Sequence, residues 1–343
     1  MFEEPAYRWI DPVWRESAGA WVDAAVTRLG HKVAGPISGV RFTPWSAVLC
    51  APTDAGDVYF KACGPSQRHE PALTLFLAKS FPGRIVEVLA ADLERGWLLT
   101  ADGGPTLTGA IRGPDDGCFH WKAVLLLVAE MQQNLLSQGK ELLTAGLDRR
   151  PQALPDLLGR LLDRPEQFLM GEPGALLPDE LDRLRRAVPQ LDRCCFELSA
   201  GGLPDTLVID DLHEDHIFAR TVDGSWQYAF FDFGDACVSH PFVQLVSEPR
   251  FVATRFESRP EVSLSSLHEE YVRAWLGFAP LPALERQAAV ARTTGCIIRA
   301  LTWTNACASH LDELTGPLRE AYRTRLAFWL NQFVMRADEL ESR

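Results

Sequence analysis

The sequence predicts an α+β chain of two lobes, a small antiparallel-sheet lobe followed by a large, mainly helical one. Three observations carry this expectation. Residues 37–100 hold short apolar runs bounded by turn residues, the pattern of strands. Residues 119–200, and again the chain after Asp235, carry long stretches with helical spacing. At 343 residues the chain is long enough for two separate cores. The expected divisions are a helical N-terminal extension over 1–35, a sheet lobe over 36–103, and a helical lobe over 104–343.

The extension reads as a packing helix, with Trp21, Val22, Ala25, Val26 and Leu29 on one side. Val40-Arg41-Phe42 opens the sheet and runs into the turn Thr43-Pro44-Trp45-Ser46. Ala47–Ala51 and Val58–Ala62 follow, separated by the turn Pro52–Gly56. Lys61 interrupts the second of these runs. A lone lysine in a strand is commonly an edge or snorkelling residue. The sharper reading makes it a phosphate-binding cation. Glu70 opens a helix that runs to Lys79 and is closed by Phe81-Pro82-Gly83. A carboxylate there can hold Lys61 in place, or simply sit favourably at a helix N-terminus. Ile85–Leu89 and Trp97–Thr100 read as two further strands, and Asp102-Gly103-Gly104-Pro105 breaks the pattern.

In the second lobe Trp121–Leu136 reads as a buried helix and Asp179–Val188 as a surface helix. The most informative stretch comes next, over 207–235. Leu207–Asp210, Ile217–Ala219 and Trp226–Phe231 read as strands, and Asp223-Gly224 supplies the turn chemistry of a hairpin. Acids sit at the ends of these strands, Asp211 after the first and Asp232 after the third. Clustered carboxylates beside apolar walls suit a divalent cation and a phosphoryl group. His240-Pro241 reads as a turn. Ala283–His310 and Pro317–Leu340 read as long helices.

A formal charge of −12 argues against a general nucleic-acid binder, which would show a basic face. No run approaches the length of a membrane span. The acidic start Met1–Pro5 lacks a signal pattern, so a cytoplasmic location and reduced thiols are expected. None of the eight cysteines forms a C-x-x-C pair, which argues against a zinc ribbon or redox motif.

Asp211-Leu212-His213-x-x-His216 resembles the catalytic loop of aminoglycoside phosphotransferase-like small-molecule kinases, whose pattern is H-G-D-L-H-x-x-N. Phe231-Asp232-Phe233-Gly234-Asp235 resembles their metal-binding I-D-W-x-D segment. Lys61 and Glu70 fall in the family's order, and the resemblance runs from about Val40 to the C-terminus. It implies a bilobal protein-kinase-like fold and an ATP- and Mg²⁺-dependent transfer of the γ-phosphoryl group to a small-molecule hydroxyl. An aminoglycoside, amino sugar, sugar or amino alcohol would be the acceptor. Asp211 would be the catalytic aspartate, Asp232 the metal ligand, and Lys61 the phosphate clamp positioned by Glu70. Trp45 and Ser46 would lie over the phosphates, and Leu99–Gly103 would line the adenine site. Glu269, Glu270, Trp303 and Asn305 fall on helices that form the acceptor pocket in such kinases.

Three positions depart from the pattern. Ile209-Asp210 replaces His-Gly, His216 replaces the metal-binding Asn, and the 43–46 turn holds no glycine. A nitrogen donor suits Mg²⁺ less well than oxygen. An impaired, nucleotide-binding pseudokinase is therefore the alternative. A third reading takes Asp211-x-His213-x-Asp215-His216 as a zinc cluster of a metallo-hydrolase, completed by His240, His268 or His310.

Overall fold

The computed structural model describes residues 8–246 and 260–342. The acidic start Met1–Pro5 lies outside the described residues. Ten strands are present among them: β1 Ser38–Phe42, β2 Ser46–Thr53, β3 Gly56–Cys63, β4 Val88–Asp92, β5 Trp97–Ala101, β6 Leu147–Asp148, β7 Thr206–Val208, β8 Ile217–Val222, β9 Ser225–Phe230 and β10 Cys237–Ser239. The chain forms two compact units. The first runs to Leu107 and takes in Asp215–Gly234 and Asp312–Leu318. The second comprises Thr108–Glu214, Asp235–Leu311 and the chain from Arg319 onward.

The first unit is built on a five-stranded sheet in the order β1-β2-β3-β5-β4. Every pairing in it is antiparallel. Alternation sets its two faces, because successive side chains on a strand point opposite ways. On β3, Val58, Phe60 and Ala62 are buried and share one core with Ala47, Leu49, Ala51, Trp97 and Leu99. The helix Pro12–Arg28 supplies Ala18, Val22, Ala25 and Val26 to that core. Trp21 packs edge-on against Trp97 and at a tilt against Phe60, at centroid separations of 5.7 and 5.6 Å. Such ring pairs each contribute about 1 kcal/mol beyond area burial. Leu29, expected on the packed side, is exposed, because the helix ends at Arg28 and Leu29 is its cap.

The hairpin β8–β9 belongs to this same unit. Its register closes at Val222↔Ser225. Asp223 and Gly224 both take positive φ, 50° and 77°, as a two-residue turn of this hand requires. Its base is tied to the sheet side of the unit: Phe230 bridges to Ile85 and Phe218 to Thr106. The run expected as a strand over Ile85–Leu89 divides here. Ile85 and Val86 pair with Phe230, and β4 begins at Val88.

The second unit is mainly helical. Its helices include Pro114–Asn134, Leu154–Leu162, Pro178–Arg186, Val188–Ala200, Pro260–Arg273, Leu281–Cys307 and Gly316–Glu341. A small sheet in the order β6-β10-β7 lies among them. Here the structure corrects the reading of 207–235 as three strands feeding one hairpin. β7 pairs antiparallel with β10, not with β8 or β9. Gln132 fixes β7 from the helix side, donating to the Leu207 carbonyl at 2.7 Å while its own carbonyl accepts from Thr206 Oγ1 at 2.9 Å. Among the described residues no helix is long and apolar enough to cross a membrane.

His240 follows β10 and is 1% exposed. Its Nδ1 accepts from the Phe242 amide at 3.3 Å, so Nε2–H faces Gln287 Oε1 at 3.2 Å. Burial pushes its pKa down to about 4, against the hydrogen bond to Gln287. The folded state thus favours neutral imidazole. Its contribution is complete above the unfolded value near 6.5 and is lost as pH falls from there toward 4. Stability should fall over that window by up to about 3 kcal/mol from this residue. His268, lowered to about 4 by burial, adds a second step of the same sign. Urea midpoints at pH 7 and pH 4.5 check this: His240→Gln should lose less stability between the two than the unmodified chain.

Candidate functional site

In the first unit, Lys61 projects from the sheet face opposite the aromatic core. Its register partners are Val48 on β2 and Leu98 on β5, and Arg41 on β1 is opposite Val48. These four side chains therefore form one row across the face. The Lys61 ammonium donates to Glu70 Oε1 at 2.8 Å and to Asp232 Oδ1 at 2.6 Å. Glu70, the first residue of the helix Glu70–Ser80, is 1% exposed. Its carboxylate also accepts from the Phe233 amide at 3.1 Å and from Cys63 Sγ at 3.3 Å. Asp232 adopts φ 63°, a left-handed conformation that costs a non-glycine residue of order 1 kcal/mol. The Glu70–Phe233 bond and the Lys61 contact hold that geometry. Its second oxygen, Oδ2, is 3.3 Å from His216 Nε2.

Two carboxylates thus share one ammonium, Glu70 almost fully buried and Asp232 partly exposed. Burial opposes charge on Lys61, but Asp232 and Glu70 more than offset it and hold the ammonium firmly protonated. Burial likewise opposes charge on Asp232. Lys61, then His216 and Arg41, overcome it and hold this carboxyl well below the usual range. Glu70 goes the other way: burial and the Asp232 charge outweigh Lys61 and raise it. Asp232 wins the competition for the cation.

The 43–46 turn is closed on itself. The Thr43 amide donates to the Ser46 carbonyl at 2.9 Å, and the Ser46 amide donates to Thr43 Oγ1 at 3.0 Å. The Ser46 hydroxyl lies 3.2 Å from Thr43 Oγ1. The Trp45 carbonyl accepts from the Gly64 amide at 2.6 Å. Gly64 is needed there, since a Cβ would stand 2.8 Å from that carbonyl oxygen. Of the segment Leu99–Gly103, Leu99 is in the core, while Ala101, Asp102 and Gly103 line a cleft of about 370 Å³ beside Phe218 and Tyr228.

In the second unit, Asp211 follows β7 in a loop clamped from several sides. Gln244 pins Ile209, accepting from its amide at 2.9 Å and donating to its carbonyl at 3.0 Å. Asp210 is 2% exposed and accepts from Arg299 Nη1 at 3.0 Å and from Thr302 Oγ1 at 2.6 Å. Arg299 also donates to the Asp210 carbonyl, and its Nη2 is 3.5 Å from Asp211 Oδ1. His213 Nε2 is 3.8 Å from Asp211 Oδ2. Burial raises the Asp210 pKa despite Arg299, while Arg299, itself buried, is held protonated by Asp210 and Asp211.

The sequence reading noted Asp210 only as a departure from the family pattern, and missed its pairing along with Arg299, Thr302 and Gln244. A signal existed for two of them: a second acid directly before Asp211, and an arginine inside the apolar run Ile297–Leu301. Glu269 and Glu270, by contrast, are engaged in exposed ion pairs with Arg273 and Lys122.

No family model matches the sequence, and no curated protein matches it. The structure does have close likenesses. Its fold is that of the protein-kinase-like enzymes acting on small molecules. More narrowly, it is the fold shared by aminoglycoside and macrolide phosphotransferases and choline/ethanolamine kinases. A choline/ethanolamine kinase family protein from Mesorhizobium loti superposes with a TM-score of 0.58 at 17% identity, over 96% of this chain and 99% of that one. Macrolide 2′-phosphotransferase type I gives 0.55 at 16% identity, over 91% and 97%. Ethanolamine kinase from Plasmodium vivax gives 0.57 at 13%, over 88% and 83%.

Proposed function

We propose that this chain is an ATP- and Mg²⁺-dependent phosphotransferase acting on a hydroxyl of a small molecule, an amino alcohol, sugar, amino sugar or aminoglycoside. The observation that carries the reading is the Lys61 ammonium held between Glu70 and Asp232, three residues drawn from a strand, a helix and a loop. Phosphoryl transfer asks the protein mainly for positioning and charge cancellation. Lys61 supplies a fixed cation for the nucleotide phosphates, and Glu70 keeps it in place. Asp211 accepts the proton of the acceptor hydroxyl as its oxygen bonds to the γ-phosphorus and the bond to the β-phosphate oxygen breaks, releasing ADP. Arg299 and Thr302 fix Asp210, and Arg299 reaches on to orient Asp211.

The donor set fits Mg²⁺. Asp232 offers hard carboxylate oxygens and is partly exposed. Asp232 would hold the ion, with His216 beside it as a direct or water-mediated contact. Bound there, Mg²⁺ would neutralise charge on the phosphates. The neighbouring folds named for choline, ethanolamine and macrolides support the acceptor class, each carrying an alcohol.

The test is an ADP-release screen over hydroxylated amines, sugars and aminoglycosides with Mg·ATP. At least one acceptor should raise ADP release above the acceptor-free rate. Mg·ATP binding with no acceptor turned over, and activity gained in His216→Asn, would favour the impaired pseudokinase. Stoichiometric zinc with no ADP release would favour the hydrolase.

A further inference from the structure

Arg41 has no place in the roles given so far. It lies on β1, and its register through Val48 to Lys61 puts both cations on the same face of the sheet. They are two strand spacings apart, about 10 Å at the backbone. Phe42, the next residue, turns to the other face and packs against the aromatic core, as alternation requires. Arg41 itself is exposed, and among the described residues it forms no hydrogen bond or ion pair. Lys61 is different: two carboxylates already occupy its ammonium.

The turn that follows Arg41 has little left to offer an anion. In a glycine-rich phosphate loop the backbone amides are the donors. Here Pro44 has no N–H, and the amides of Thr43 and Ser46 are both bonded inside the turn. The Ser46 hydroxyl is engaged with Thr43 as well. At Lys61 two carboxylates stand against the one ammonium. A polyphosphate entering this face therefore gains from a second positive charge beside Lys61, whose ammonium is shared with two carboxylates.

We infer that Arg41 is a second polyphosphate-binding residue of the sheet lobe beside Lys61, supplying by one guanidinium the contacts that backbone amides of a glycine-rich turn would otherwise make. A guanidinium suits the task, since its fork of donors matches phosphate oxygens. The inference rests on the nucleotide reading above and adds to it a specificity: binding should depend on the number of phosphates, with Arg41 as the reason.

Calorimetric titration of the full chain with Mg·ATP, Mg·AMP and adenosine tests this. Arg41→Gln should weaken Mg·ATP binding roughly ten-fold, weaken Mg·AMP less, and leave adenosine unchanged. Arg41→Lys should recover part of the loss. Mg·ATP affinity should also fall more steeply with salt in the unmodified chain than in Arg41→Gln. Equal Mg·ATP affinity in Arg41→Gln and the unmodified chain would overturn the role of Arg41 while leaving the kinase reading intact. So would an equal loss for adenosine. An unmodified chain that binds no Mg·ATP would overturn both.

Discussion

Asp211→Asn should lower turnover by about 10³-fold, with Mg·ATP affinity kept within roughly two-fold. The substitution keeps the shape of the side chain and removes its capacity to take a proton. Asp210, Arg299 and Thr302 remain as they are, so the loop that carries residue 211 stays folded. Steady-state ADP release with a responsive acceptor, beside a direct Mg·ATP titration, separates the two effects. Undiminished turnover would remove Asp211 from the chemistry. Arg299→Gln should act in the same direction and less severely, about ten-fold on turnover, if Arg299 acts as proposed, by orienting Asp211. It should also destabilise the fold by about 3 kcal/mol, since Asp210 would be left buried without its cation.

The second large effect is expected at Lys61. Lys61→Met leaves Glu70 and Asp232 facing each other across a buried space with no positive charge between them. Breaking such a pair costs about 3–5 kcal/mol, most of it the penalty of the stranded charges. Glu70 suffers most, because it is almost fully buried and already ionises reluctantly. The urea midpoint should drop accordingly, and turnover should fall by about 10²-fold or more. Adding Glu70→Gln to Lys61→Met should restore at least about 1 kcal/mol by removing one of the stranded charges. If the double variant is no more stable than the single one, the trio is not the coupled unit described above.

Much of the first unit was legible because its strands alternate cleanly. Val58, Phe60 and Ala62 mark a buried face, and Lys61 stands out as the polar residue on the other. Glu70 could be read as a helix start because Pro71 follows it at a position helices tolerate only in their first turn. Asp223-Gly224 announced its turn through the one backbone conformation those residues favour. What stayed hidden was long-range. β7 looks like a third member of the hairpin by composition, but its partner β10 is set by the helices packed around it. The Arg299–Asp210 pair spans 89 positions and has no local signature beyond an odd arginine in an apolar helix. The turn at 43–46 shows a different limit. Serine and threonine that donate to a phosphate and serine and threonine that bond each other are the same residues in a sequence; only coordinates separate the two uses.

The sheet unit is assembled from pieces of chain far apart: it ends at Leu107, resumes at Asp215, and its central ion pair joins residues 171 positions apart. A ribosome must therefore release more than a hundred residues of the helical unit before Asp232 emerges to meet Lys61. Until then Lys61 and Glu70 have only each other, and the nascent sheet lacks the hairpin that completes it. Neither unit can be obtained as one contiguous fragment of the chain.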